Sequence, residues 1–243
     1  MELTVLGCSG SYSGADGRAC SGYLVRDGDS RVWIDCGNGT FGELQRRLPV
    51  EDLSAVVLTH AHPDHVVDVY GLHVMLRYAL GRSGLPIYAP AGLGDHLGIL
   101  VGGDWGGAFS WHAIDDDTEV SVGSLALRFS RTDHPPPTYA VQVAANGSRL
   151  VYTSDTGPRW SVEAFPGGAD LVLSEATYLH DAKPAAIHLS AKEAGAVARA
   201  AGARRLMLTH VWPRVDRRDA AAEGSAAYGE PVMLAEPGQT TTI

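Results

Sequence analysis

Leu53-Ser-Ala-Val-Val-Leu-Thr59 runs straight into His60-Ala-His62-Pro-Asp64-His65, and that join decides the fold. The first seven residues are largely apolar and rich in β-branched side chains, which predicts a strand buried on both faces. Beyond its end, His60 and His62 stand two apart in extended chain, so their rings project to one side. Pro63 has the fixed φ of a helix entrance. Val66, Val69, Tyr70, Val74 and Leu76 supply the apolar positions of a helix predicted from about Asp64 to Leu80. His60 and His62 can then grip one cation while Asp64 and His65, in the first helical turn, face a second. With 10 histidines and 18 aspartates in 243 residues, a chance His-x-His-x-Asp-His is roughly a one-in-a-thousand event. The run reads as the centre of a metal-dependent hydrolase, not as a solvated loop. Imidazole and carboxylate donors without a thiolate suit zinc, manganese or iron.

A chain of 243 residues can bury a substantial core without disulfides. No internal repeat or Pro/Ser-rich linker divides it, so one domain over residues 1–243 is expected. No apolar run approaches the length of a membrane span, and Met1-Glu-Leu-Thr-Val-Leu-Gly7 reads as a first strand, not a secretory signal. Cys8, Cys20 and Cys36 show no Cys-x-x-Cys spacing and are expected as buried, reduced thiols. A cytoplasmic protein with no membrane partner follows as the expectation. The formal net charge is −9, and Lys183 and Lys192 are the only lysines. A field of that sign disfavours long nucleic acids. A small anion remains possible, because two divalent ions less two carboxylates and a hydroxide leave about +1, suited to a phosphodiester.

Strands are expected at Leu3–Leu6, Tyr23–Val25, Arg31–Asp35, Leu85–Ala89, Val120–Val122, Leu125–Ser130, Tyr139–Val143, Leu150–Thr153, Leu171–Ser174, Arg205–Thr209 and Pro231–Leu234. A helix is expected from about Thr40 to Leu48 and another near Arg217–Tyr228. The helix from Ala191 to Ala201 carries a Ser190/Glu193 capping box and a Gly202 stop. Gly92–Gly107, with Trp105 inside it, reads as a flexible loop, since no Gly-Lys-Ser/Thr marks a phosphate cradle. Asp115–Asp117 reads as a solvated turn. Two strand-rich halves, each ending in helices, suit an α/β fold of two packed sheets with helices outside.

Three further strands end near metal-type residues: His134, Asp155 and His210. Together with Val5-Leu-Gly-Cys-Ser-Gly10, Asp35-Cys-Gly, Ser154-Asp155-Thr-Gly157, Ser174-Glu175-Ala, His188-x-Ser190 and Leu208-Thr-His210, the chain resembles the metallo-β-lactamase fold superfamily over nearly its whole length. Within it the chain is similar to the ribonuclease Z-like group. That resemblance implies a four-layer αβ/βα sandwich. It implies that His60, His62 and His134 hold one divalent metal ion, that Asp64, His65 and His210 hold the other, and that Asp155 bridges them. The catalytic residues it implies are Asp64 and His188, the latter contacting the phosphate and protonating the leaving oxygen. Asp68, one turn after Asp64, is a candidate for orienting a ligand histidine, as are Asp35 and Glu175. His73, His96, His112 and His180 match no motif and are read as structural or solvent-exposed.

Ribonuclease Z carries a long arm between the third histidine and the bridging aspartate to grip precursor transfer RNA. Here His134 and Asp155 are 21 positions apart, so no arm fits and that substrate is disfavoured. The chain is more similar to bacterial cyclic-nucleotide phosphodiesterases on the same scaffold, through Ser21-Gly-Tyr-Leu24, Asp68 with Gly71-Leu72, and His188-Leu-Ser-Ala-Lys-Glu-Ala-Gly195. The resemblance implies hydrolysis of a 3′,5′-cyclic nucleotide by a hydroxide held between the metals, and a possible homodimer. A lactonase or thioesterase is the second class, and a catalytically dead sensor the third.

Overall fold

A computed structural model describes residues 1–185 and 187–243. Its first sheet holds β1 (Glu2–Gly7), β2 (Gly22–Asp27), β3 (Ser30–Ile34), β4 (Ala55–Val57), β5 (Leu85–Pro90) and β6 (Phe109–Ile114), with Thr240–Thr242 on the outer edge of β1. The second holds β7 (Glu119–Val122), β8 (Leu125–Arg131), β9 (Tyr139–Ala145), β10 (Ser148–Tyr152), β11 (Leu171–Glu175), β12 (Leu206–Thr209) and β13 (Met233–Leu234). The edge strand Thr240–Thr242 is β14.

Each sheet changes from antiparallel to parallel partway across. In the first, β1, β2 and β3 pair antiparallel, then β3 to β6 pair parallel. In the second, β7 to β10 pair antiparallel and β10 to β13 parallel. Inside the parallel halves β4, β11 and β12 are largely apolar because both of their faces are covered, whereas the edge strand β6 leaves His112 and Ala113 exposed. The period-two alternation sorts the side chains. Tyr23, Val25, Val32 and Ile34 point between the sheets, to meet Phe129, Val141, Leu150 and Met207 of the second sheet. Leu24 and Trp33 point outward to the first helical layer.

That layer comprises α1 (Thr40–Gln45), α2 (Pro63–Val66), α3 (Val69–Val74), a π-helical stretch Met75–Leu80, and α4 (Leu93–Gly98). The opposite layer holds α5 (Ala191–Ala200) and α6 (Arg217–Tyr228). Both halves of the Ser190/Glu193 capping box form. Ala191, Ala194 and Ala198 bury the apolar face of α5. The four-layer sandwich expected from the sequence is the fold.

Two local expectations need correction. The helix over 64–80 is not continuous. The carbonyl of Asp64 accepts from Ser21 N–H at 3.2 Å and that of His65 from Cys36 N–H at 2.6 Å. Both are lost to the ladder, so the chain breaks between α2 and α3. The glycine-rich segment is not one irregular loop either. It contains α4 and a short 3₁₀ turn Ile99–Val101, and Trp105 is buried, its Nε1–H donating to Gly94 O at 2.9 Å. Gly94 serves that packing, since a Cβ there would lie 2.5 Å from the Trp111 ring. Asp115–Asp117 is an exposed turn, and the three cysteines are free and buried. No helix among the described residues is long and apolar enough to cross a membrane.

Candidate metal centre

The segment after β4, the ends of β8 and β10, and the end of β12 open on the same edge of the sandwich. That edge carries His60, His62, Asp64 and His65 from the first sheet, and His134, Asp155 and His210 from the second. His60, His62, His134 and Asp155 form one cluster whose donor atoms all lie within 4.8 Å of one another, and Asp64, His65 and His210 form a second.

Asp155 is divided between them. Its Oδ2 stands 3.5 Å from His60 Nε2 and 3.9 Å from His134 Nε2. Its Oδ1 stands 3.4 Å from His65 Nε2 and 3.5 Å from His210 Nε2. His62 Nδ1 completes the first cluster at 3.0 Å from His60 Nε2 and 3.3 Å from His134 Nε2. In the second, Asp64 Oδ2 is 3.2 Å from His210 Nε2 and also accepts from Ser11 N–H at 2.9 Å.

The other ring nitrogen of each of four histidines is already engaged, which fixes its tautomer. His65 Nδ1–H donates to Asp35 Oδ2 at 2.7 Å, and His134 Nδ1–H donates to Ile187 O at 2.7 Å. His60 Nδ1–H donates to Thr59 Oγ1 at 3.1 Å, and that hydroxyl donates to Asp35 Oδ1 at 2.9 Å. His210 Nδ1–H donates to Thr177 Oγ1 at 2.8 Å, and that hydroxyl donates to Glu175 Oε2 at 2.6 Å. The four Nε2 atoms left over, lone pairs once deprotonated, converge on the two oxygens of Asp155. A cation satisfies converging lone pairs; a proton shared between two of them does not satisfy the rest. Buried His65 Nε2 and Asp155 Oδ1 also lack a hydrogen-bond partner, and a cation between them would satisfy both. The residues fit two cations of the borderline class.

Electrostatics set the histidines of the two clusters apart. Burial and the neighbouring His65 hold His60 well below the usual histidine range, keeping it neutral. Burial works against an ionised Asp155, yet His210 and His65 outweigh it and hold the carboxyl well below its usual range. His65 moves the other way: burial opposes its charge, but Asp155, Asp35 and Asp64 raise it well above the ordinary value.

His188 faces the same pocket. Its Nδ1 lies 3.2 Å from both oxygens of Glu175 and 3.9 Å from Asp155 Oδ2, and its ring stacks on His210. Burial disfavours the charged ring, but Glu175 prevails and raises it to about 9. Asp35 and Glu175 are therefore supporting carboxylates, as the sequence suggested. Asp68 is not. With the helix broken before it, its Oδ2 accepts from Phe41 N–H at 2.7 Å and holds the start of α1.

Sequence reasoning missed Thr59, Thr177 and Ser154, whose hydroxyls link ligand histidines to the two sheets; Ser154 Oγ donates to Thr59 Oγ1 at 2.7 Å. None of these hydroxyls stands out in the sequence: Leu-Thr-His occurs at 58–60 and 208–210, but Thr209 of the second copy shares a 2.6 Å hydrogen bond with Tyr23 Oη and meets no ligand histidine. Backbone strain also marks the centre. Ser11, Asp35, Ser154 and His210 all have positive φ, a conformation that costs a non-glycine residue about 1–3 kcal/mol.

Residues 30–211 match the family described as Beta-lactamase superfamily domain. The uncharacterized protein Rv1339 of Mycobacterium tuberculosis is 37% identical over 243 residues, covering 96% of this chain and 88% of its own. The probable metallo-hydrolase YhfI of Bacillus subtilis is 33% identical, covering 87% of each. The crystal structure of that metallo-beta-lactamase fold protein superposes with a TM-score of 0.88, at 29% identity, over 99% of this chain and 98% of its own. Ribonuclease Z of Mycobacterium bovis is 30% identical, covering 88% of this chain and 87% of its own.

Proposed function

The chain belongs to the beta-lactamase superfamily, and within it we propose that this metal-dependent hydrolase is a phosphodiesterase of small substrates, 3′,5′-cyclic nucleotides above all. The observation that carries the reading is the division of Asp155 between two nitrogen clusters, with His188 facing the same carboxylate from the side. Two divalent cations bound there, zinc, manganese or iron, supply Lewis acidity toward a phosphoryl oxygen and lower the pKa of water.

The chain's own groups do the rest. His60, His62 and His134 fix one side of the pocket, and Asp64, His65 and His210 the other, through tautomers set by Thr59, Asp35, Thr177 and the Ile187 carbonyl. Asp155 keeps the two sides at a fixed separation. Ser11 N–H holds Asp64 against rotation. His188, charged through Glu175 and 3.9 Å from Asp155 Oδ2, delivers a proton to the departing ribose oxygen.

Ribonuclease Z, by its name, acts on RNA, a phosphodiester polymer, and the identity with it spans most of both chains. The interval from His134 to Asp155 holds one turn, β9 and β10 with their tight connection, a span without a long arm, which supports a small substrate. The net charge of −9 works in the same direction.

The test is a panel with metal-loaded protein: cyclic AMP, cyclic GMP, 2′,3′-cyclic nucleotides, bis(p-nitrophenyl) phosphate, a lactone and precursor transfer RNA. Turnover of the 3′,5′-cyclic nucleotides supports the reading. Activity confined to the lactone would replace it, and cleavage of the RNA would restore an endonuclease. His188→Ala should keep its metal and lose about 10²–10⁴-fold in turnover.

A further inference from the structure

We propose that Tyr178, Trp212 and Tyr12 form a stacking wall for the substrate's nucleobase, an inference that rests on the phosphodiesterase reading above. The three rings run outward from the catalytic edge. Tyr178 lies 6.1 Å from His188 between ring centroids, Trp212 5.5 Å from Tyr178, and Tyr12 meets Trp212 edge-on at 5.3 Å. None of the three is buried, and Tyr12 at the outer end is 40% exposed.

Each ring is tied to the frame that positions the cation-facing residues. Tyr12 follows Ser11, whose N–H donates to Asp64. Tyr178 follows Thr177, the hydroxyl that fixes His210. Trp212 stands two residues after His210, and its N–H donates to Thr177 O at 3.1 Å. A wall anchored in this way keeps register with a phosphate seated at Asp155, because His188, 6.1 Å from Tyr178 between centroids, has its Nδ1 3.9 Å from Asp155 Oδ2. The chain's composition gives it a task. A protein of net charge −9 with two lysines has little long-range pull on a nucleotide. Preference for nucleotides over other phosphodiesters then falls to aromatic surface. Stacking tolerates any base, because each has a π face. The wall therefore selects for a base without choosing strongly among bases.

Calorimetry with zinc-loaded protein, using adenosine monophosphate and ribose 5-phosphate as probes, separates base from phosphate. Wild type should bind adenosine monophosphate about 5- to 100-fold more tightly than ribose 5-phosphate. Trp212→Leu and Tyr178→Leu should bring that ratio to within about 2-fold, since leucine retains apolar bulk without a π face. Their ribose 5-phosphate affinity and zinc content should not change. Equal binding of the two probes by wild type, or an intact preference in both variants, would overturn the wall and leave the phosphodiesterase reading in place. Binding of neither probe would overturn both. Tyr12→Leu, at the exposed end, replaces an inner variant that fails to fold. It should lower the preference by a smaller factor, and an unchanged preference would count against the wall.

Discussion

Asp35 never touches the pocket, yet the state of two ligand histidines depends on it. It is fully buried and accepts from His65 Nδ1, from the amide and hydroxyl of Thr59, and from Tyr152 Oη at 2.9 Å. Asp35→Asn removes the charge and turns one acceptor into a donor facing an N–H. Metal affinity should fall about 10- to 100-fold with the fold retained, measurable by competition with a chromophoric chelator. Unchanged affinity would mean that His65 is oriented by packing alone. At this scale the sequence is most legible where spacing is local. His60, His62, Asp64 and His65 declare themselves within six positions, whereas His134, Asp155 and His210 depend on a resemblance to give strand ends a meaning. Thr59 and Thr177 stay silent, because a hydroxyl at a strand end has many uses and only the fold shows which nitrogen it meets.

Elements are legible where local pattern and tertiary packing agree. The Ser190/Glu193 box and the Arg217–Tyr228 helix appear at the expected residues. The helix after His65 does not, because Ser21 and Cys36, distant in sequence, draw off two carbonyls. Gly195 shows the same influence in reverse. Within a helix, Gly→Ala gains about 1 kcal/mol of propensity. Here a Cβ at Gly195 would lie 2.5 Å from Gly224 O on α6. Backbone cannot yield as a flexible side chain does, so Gly195→Ala should destabilise by about 1–3 kcal/mol in urea unfolding. A stabilised variant would show that the two helices can move apart at little cost.

Across the whole molecule, two halves of similar plan meet at one edge, and the protein's pH behaviour originates there. Strands β6 and β14 escaped the sequence reading, one hidden behind a glycine-rich segment and the other a three-residue edge strand at the end of the chain. Neither omission alters the site, because the strands that carry it lie in the sheet interiors. In the metal-free protein His65 is held protonated by Asp155, Asp35 and Asp64 despite burial. The charged form stabilises the metal-free fold below the ordinary histidine pKa, and that contribution is lost as pH rises through the raised folded value. A cation at Nε2 must displace this proton. Zinc affinity should therefore rise with pH, about tenfold per unit for one released proton, until the raised value is passed. Titrations in buffers of different ionisation enthalpy would count the protons, and a heat independent of buffer would show that none is released.

The central claim is that two cations share Asp155. Crystals of the zinc-reconstituted protein, measured at the zinc absorption edge, test it most directly. Two anomalous peaks are expected, one beside each oxygen of Asp155, the first among His60, His62 and His134 and the second among Asp64, His65 and His210. A single peak in fully reconstituted protein, or two peaks that leave Asp155 untouched, would contradict it.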